Sequence, residues 1–303
     1  MTIREILSDI KSNRRKKIIL DTDCFNEIDD QYALAYCYLS DKIDLLSVNA
    51  ALFRTEEIQN FEEAMEKSYD EIVKVLSLTD PHYETPVFKG SRENITESGK
   101  SFIESPACDN IIKSVKESDE IVYVLAIGAI TNVTSAVVKD PSIKDNMCVL
   151  WLAGNQLDFP HTLEYNLEQD LKAGQLLLES RVPVILCPAQ NVTIALKTDI
   201  EETRSLYGYT PIADYLAQLA EDRFNACGGY STWRRTIWDL AAPVAIDLPE
   251  ACEFEIAETP IFADNMTYAF EKGRHEMICM TRIDRDMAFK AAHELYKRDI
   301  SAN

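Results

Sequence analysis

The chain has 303 residues, 46% of them hydrophobic and 27% charged, a composition that suits a soluble globular fold with a substantial core and not a disordered chain. Its 51 Asp and Glu outnumber 31 Lys and Arg, for a formal charge of −20. Such an excess argues against a nucleic-acid polymer or an anionic membrane surface as partner, and suits a small neutral ligand or a cation.

The clearest apolar runs are Lys17–Leu20, Ile43–Val48, Ile121–Ile127, Met147–Leu152 and Val182–Cys187. They are nearly continuous in Ile, Val and Leu, the pattern of strands covered on both faces of a parallel sheet. Between them the 3.6-residue periodicity predicts helices over Tyr32–Leu39, Glu56–Ser77, Ile111–Glu117, Val133–Lys139 and Gln169–Ser180. Strand alternating with helix is an α/β, doubly wound, mostly parallel sheet flanked by helices. After residue 200 the rhythm turns irregular: helices at 211–224 and 239–247, mixed strands over 251–283 and a closing helix at Arg285–Lys297. No linker, repeat or low-complexity tract intervenes, so residues 1–303 are expected to form a single domain.

The eight cysteines show no CxxC and no short-spaced cluster, so most are expected to fill core positions. The opening MTIREILSDIKSNRRKK lacks the apolar run of a signal peptide, and no apolar stretch reaches membrane-spanning length. The expectation is a reduced, cytoplasmic protein.

Ligands of open parallel sheets bind beyond the carboxyl ends of the strands. The residues leaving the predicted strands are Asp21-Thr22-Asp23, Asn49, Gly128–Asn132, Gly154-Asn155 and Gln190-Asn191, acids and amides with hardly a cation among them. The densest point is Asp21, Asp23, Glu27, Asp29 and Asp30, five carboxylates within ten residues. Crowded carboxylates either take up protons or share a cation. A hard ion such as Ca²⁺ accepts oxygen ligands at about 2.3–2.6 Å in irregular geometry. The rival account has Asn26 capping the next helix, with Asp29 and Asp30 complementing its dipole. That explains two acids and leaves Asp21 and Asp23 unexplained, and both accounts can hold together.

With Asp21-Thr22-Asp23, five residues, then Asp29-Asp30 and Ala33-Leu34, the chain resembles the nucleoside hydrolase family, the inosine–uridine-preferring type of N-ribohydrolase. The family spaces these acids by three residues, usually beginning Pro-Gly. The two-residue insertion marks a divergent branch with an Asn-Glu-x-Asp-Asp-Gln form of the motif. Ala126–Asn132 resembles the Gly-Pro-Leu-Thr-Asn segment, Glu164-Tyr165-Asn166 the Glu-Phe-Asn segment, and Trp238-Asp239 onward the late segment His-Asp-Pro-x-Ala-Val-Ala.

The resemblance implies calcium-dependent hydrolysis of the N-glycosidic bond of a ribonucleoside or a close N-ribosyl analogue. It assigns Ca²⁺ to Asp23, Asp30, Asp239 and the Thr131 carbonyl, and the general base to Asp29. Glu164, Asn166 and Asn155 would contact the sugar, and Asp21 would support its neighbours. Relatives commonly form homodimers or homotetramers, the expectation here as well. Trp238 stands where many relatives place a His that protonates the departing base; Trp can stack but cannot deliver a proton. Of the four histidines, His161 is near enough in sequence to Glu164 to reach the pocket. Two other readings remain. One is a non-catalytic, metal-dependent sugar- or nucleoside-binding relative. The other is a haloacid-dehalogenase-type phosphatase, which also opens with Asp-x-Asp after an apolar strand but needs a basic residue aimed at phosphate.

Overall fold

The computed structural model describes residues 1–300. Its centre is an eight-stranded sheet: β1 (Lys16–Thr22), β2 (Ile43–Ala50), β3 (Val87–Phe88), β4 (Val122–Ala126), β5 (Met147–Leu152), β6 (Val184–Cys187), β7 (Cys252–Glu258) and β8 (Glu276–Ile283). In space the order is β3-β2-β1-β4-β5-β6-β8-β7. Every pairing is parallel except the edge pair β8–β7. The C-terminal third is irregular in rhythm, as its sequence suggests, yet it supplies two strands that continue the sheet.

Alternate strand residues feed two apolar layers. Leu20, Leu125, Leu150 and Ile185 pack on one face beneath the helices Asp29–Leu39, Phe61–Thr79, Pro211–Ala226 and Arg285–Tyr296. Ile19, Val124, Val149 and Leu186 pack on the other, beneath Pro106–Glu117, Thr131–Lys139 and Leu171–Glu179. Each such aliphatic side chain contributes roughly 1.5–3 kcal/mol on leaving water. Burial on both faces is the physical reason these strands are continuous apolar runs. All eight thiols are unpaired, and seven are buried.

The predicted helices at Tyr32, Glu56, Ile111, Val133 and Gln169 begin at Asp29, Phe61, Pro106, Thr131 and Leu171, and two of these starts bear on the site. The predicted helix at Glu56 begins at Phe61, where Asn60 Oδ1 accepts from Glu63 N–H at 3.1 Å. The helix at Asp29 is headed by Ile28, with no side-chain cap; Asn26 does not cap it. An N-terminal helix, Ile3–Ile10, carries a Thr2/Glu5 capping box. Among the described residues no helix is long and apolar enough to cross a membrane.

The chain order reverses between β1 and β4, since β1 is followed by β2 on one side and β4 lies on the other. The carboxyl ends of these two strands open the crevice where an α/β sheet seats its ligand.

Candidate active site

Four carboxylates from three places in the sequence meet in that crevice. Asp23 leaves β1. Asp29 and Asp30 form the first turn of the next helix, and Asp239 sits in a short 3-10 turn, Trp238–Leu240. All four are buried. Ligand oxygens of Asp29, Asp30 and Asp239 lie within 4.8 Å of one another. Asp30 also lies beside Asp23 and accepts a short hydrogen bond from the Thr22 hydroxyl. Residues 24–28 bridge Asp23 and Asp29 by a turn with Phe25 in the left-handed region, at φ 99°. Asn26 Nδ2 donates to Asp23 Oδ2 at 3.3 Å, and its Oδ1 accepts from the Tyr165 hydroxyl at 3.1 Å.

Burial pushes all four carboxyls up from their ordinary range, and their mutual repulsion adds to it at Asp23, Asp29 and Asp239. Hydrogen bonds from Thr22 at Asp30, and from main-chain N–H groups of Asp29 and Trp238 at Asp29, oppose the shift. Asp21, wholly buried in β1, is raised to about 7 by burial; Asn132 Nδ2 donates to its Oδ2 at 3.0 Å. It supports the cluster from behind and does not line the cavity.

The cluster forms the floor of a cavity of about 230 Å³. One wall is Glu164, Tyr165 and Asn166. The Glu164 carboxylate accepts from the main-chain N–H groups of Asn166 at 3.0 Å and of Leu167 and Gly154 at 3.1 Å, heading the helix Tyr165–Gln169. Burial nevertheless raises it to about 7. Asn166 Nδ2 donates to the carbonyls of Ile127 and Leu152, each at 3.1 Å, tying this wall to the ends of β4 and β5. Asn155 also lines the cavity. Its side chain donates to the carbonyls of His161 (3.0 Å) and Leu163 (3.2 Å) and accepts from Gln190 N–H (3.1 Å), so it holds three loop segments together. Trp238 and Glu27 also line the cavity. Glu27 pairs closely with Arg235, and Arg223 stands 3.9 Å away.

The structure brings Asp23, Asp29, Asp30, Asp239, Glu164, Asn166, Asn155 and Trp238 to one cavity. Thr131 and His161 are not brought there. Thr131 opens a helix, and its hydroxyl donates to Asp170 at 2.7 Å; the residue from that segment that lines the cavity is Ile127, four positions earlier at the strand end. His161 is exposed, edge-on to Phe159 with ring centroids 4.9 Å apart. Arg54 turns away to Glu97, at 2.6 and 3.0 Å, and lies over the Phe61 ring. Asn49 is buried against Asn110, and Asp158 is exposed. In the sequence Gly128 carries no signal beyond its place at a strand end. A Cβ there would lie 2.8 Å from Asp23 Oδ1, so this glycine lets β4 pass against the acid.

Among the described residues no Lys, Arg or His lines the cavity, which leaves a phosphate without an anchor and removes the basis for a phosphatase. The model of the family described as inosine-uridine preferring nucleoside hydrolase matches residues 18–290. The chain belongs to that family. Nucleoside hydrolases are N-glycosyl hydrolases, and by family this chain is such an enzyme. Solved nucleoside hydrolases share the fold. A plant nucleoside hydrolase superposes with a TM-score of 0.73 at 16% identity, covering 94% of this chain and 100% of its own. An inosine-guanosine nucleoside hydrolase gives 0.75 at 16%, covering 94% and 99%. A purine-preferring ribonucleoside hydrolase from Gardnerella vaginalis gives 0.73 at 19%, covering 93% and 99%. At such identities the likeness is one of fold. No curated protein matches the chain.

Proposed function

We propose that this nucleoside hydrolase cleaves the N-glycosidic bond of a ribonucleoside or close N-ribosyl analogue with the help of calcium, releasing free ribose and base. The observation that carries the proposal is the buried meeting of Asp29, Asp30 and Asp239, with Asp23 beside them. The donors are carboxylate oxygens, and the cationic side chain that interacts with Asp239 is that of Arg235, itself paired with Glu27. So much uncompensated negative charge in a dry place fits a hard divalent ion such as Ca²⁺. Asp23, Asp30 and Asp239 would hold it, and when bound it would supply the positive charge that keeps these acids ionised and polarises a water.

The remaining chemistry falls to side chains. Asp29, fixed by the Trp238 main-chain N–H at 3.0 Å, is the general base that takes the proton of the attacking water. Glu164 and Asn166, locked by main-chain bonds, present oxygens to the sugar hydroxyls. Negative charge around the sugar stabilises the oxocarbenium character that develops as the bond breaks. Substrate would be a small molecule, and assembly as a homodimer or homotetramer is proposed with it.

The test is turnover of a nucleoside panel that includes a nitrophenyl riboside, whose leaving group needs no proton, with and without chelator. Ribose release that Ca²⁺ restores after chelation supports the proposal. Binding without release from any substrate favours the second reading, a non-catalytic relative, for which Trp238 in place of a proton-donating residue is the specific motive.

A further inference from the structure

The proposed reaction leaves one participant without a partner. A neutral purine or pyrimidine departs with the electron pair of the C1′–N bond and needs a proton or a positive group to receive that charge. The lining of the cavity beyond its acid floor and the Glu164–Asn166 segment offers neither. It carries Trp238 and Glu27. His161 lies outside the cavity, and His82, His275 and His293 do not line it. Arg235 stands behind Glu27 and is spent on it, without lining the cavity itself. Gln190 and Asn26 are amides. A departing anion would therefore find neither a free cation nor a proton donor in this part of the lining.

We infer that the preferred substrate class is a riboside whose base already carries a fixed positive charge, such as a pyridinium or N-alkylated purine riboside, with Glu27 and Trp238 as the residues that select it. The inference rests on the hydrolase reading and deepens it. For such a substrate the C1′–N bond breaks with its electron pair passing to the ring nitrogen. That discharges the cation and releases a neutral base. Water adds to C1′, and Asp29 accepts its proton. No acid is required at the leaving group, so its absence from this part of the lining is no defect.

Three observations converge on a cation. Glu27 is about one-third exposed at its side chain, open enough to meet a ligand, and Arg235 and Arg223 hold it in place. An aromatic wall attracts a positively charged ring through its π-face, most strongly for Trp. Besides Glu27, which Arg235 pairs, the cavity is lined by Asp23, Asp29, Asp30, Glu164 and Asp239, five acids that a single divalent ion does not neutralise, in a chain of net charge −20. That field concentrates cationic substrates at the mouth. The insertion that places Glu27 here is the same one that separates Asp23 from Asp29-Asp30.

The experiment measures kcat/KM for a carbamoylpyridinium riboside against uridine and inosine, each divided by its uncatalysed rate, in the wild-type holoenzyme and in Glu27→Gln. Calorimetry alongside compares binding of the pyridinium riboside with that of its uncharged dihydropyridine counterpart, which has the same shape. Expected are a preference for the cation of at least about tenfold in both measurements, and a fall of about tenfold in that preference in Glu27→Gln. Equal or weaker handling of the cation overturns the inference, and a preference untouched by Glu27→Gln overturns the assignment to Glu27. If no riboside is cleaved at all, the nitrophenyl riboside included, the hydrolase reading fails, and the binding comparison then decides the charge preference by itself.

Discussion

The main-chain N–H of Trp238 donates to Asp29 Oδ2 at 3.0 Å, joining two residues 209 positions apart. The bond fixes one carboxylate oxygen of Asp29 at the cavity floor. It also seats the turn that carries Asp239 against the helix that carries Asp29 and Asp30. The early and late acidic motifs thus close on each other through a group that no side-chain pattern reveals.

Replacing Asp29 by Asn keeps an acceptor for the Trp238 N–H and removes the base. Turnover should fall by about 10²–10⁴, the usual worth of general base catalysis, with KM and the melting temperature little changed. Initial rates and a thermal melt check this. An Asp29→Asn enzyme with wild-type kcat would move the base to another carboxylate.

Much of this arrangement was legible in the sequence, and the exceptions share a cause. Met147–Leu152 was bounded correctly because a strand covered on both faces has no polar residue to blur its ends. Asp23, Asp29 and Asp30 stand out because five carboxylates within ten residues repel one another, and Asp239 is legible only through the motif around it. Motif resemblance points to Thr131 and nearness in sequence to His161, and neither fixes which residue of a segment meets the cavity. Thr131 lies four positions beyond Ile127, the residue of that segment that lines the cavity, and the His161 ring packs against Phe159 with its Nδ1 3.4 Å from Asn155 Nδ2. Ile127 was invisible because it meets the cavity from the end of a strand read only as core. The Thr2/Glu5 capping box is legible in the sequence, a Thr with a Glu three residues on ahead of an amphipathic stretch.

The raised carboxyls make stability depend on pH in a definite sense. Asp21 and Glu164 are raised to about 7, and the four floor acids are shifted the same way, so between the ordinary carboxylate range and about 7 the folded chain holds more protons than the unfolded one. Their contribution is present at low pH and is lost as pH rises through the folded-state values. Chelated protein should therefore lose more stability between about pH 5 and pH 8 than calcium-loaded protein. A saturating cation should raise the melting temperature more at the higher pH, where it no longer competes with protons. Melts at both values with EDTA or Ca²⁺ test this, and an equal increment at both would contradict it.

Asn155→Ala should damage the loops and not the chemistry. Its side chain satisfies two carbonyls and one N–H from three segments, and the residue is fully buried. Leaving such groups unpaired costs about 1–3 kcal/mol each where water cannot reach them. Chemical denaturation should show a loss of at least about 2 kcal/mol, with KM raised more than kcat is lowered. A variant as stable as wild type would mean that water replaces the amide.

Gly128→Ala tests the close approach of β4 to the acid floor. The new methyl carbon would sit 2.8 Å from Asp23 Oδ1 and 2.9 Å from its main-chain nitrogen, too near for either atom to stay in place. The side-chain contact alone could be relieved by rotation, but the contact with the nitrogen obliges the backbone at the end of β1 to move. Overpacking of this kind costs about 1–3 kcal/mol, which a chain with two apolar layers can absorb. A carboxylate displaced within a cation-binding set loses its share of the interaction at once, because such sets depend on ligand placement. Calcium affinity by calorimetry should fall by about tenfold or more while the melting temperature drops only a few degrees. The reverse pattern, a badly destabilised chain that binds calcium as before, would show that Asp23 does not hold the ion.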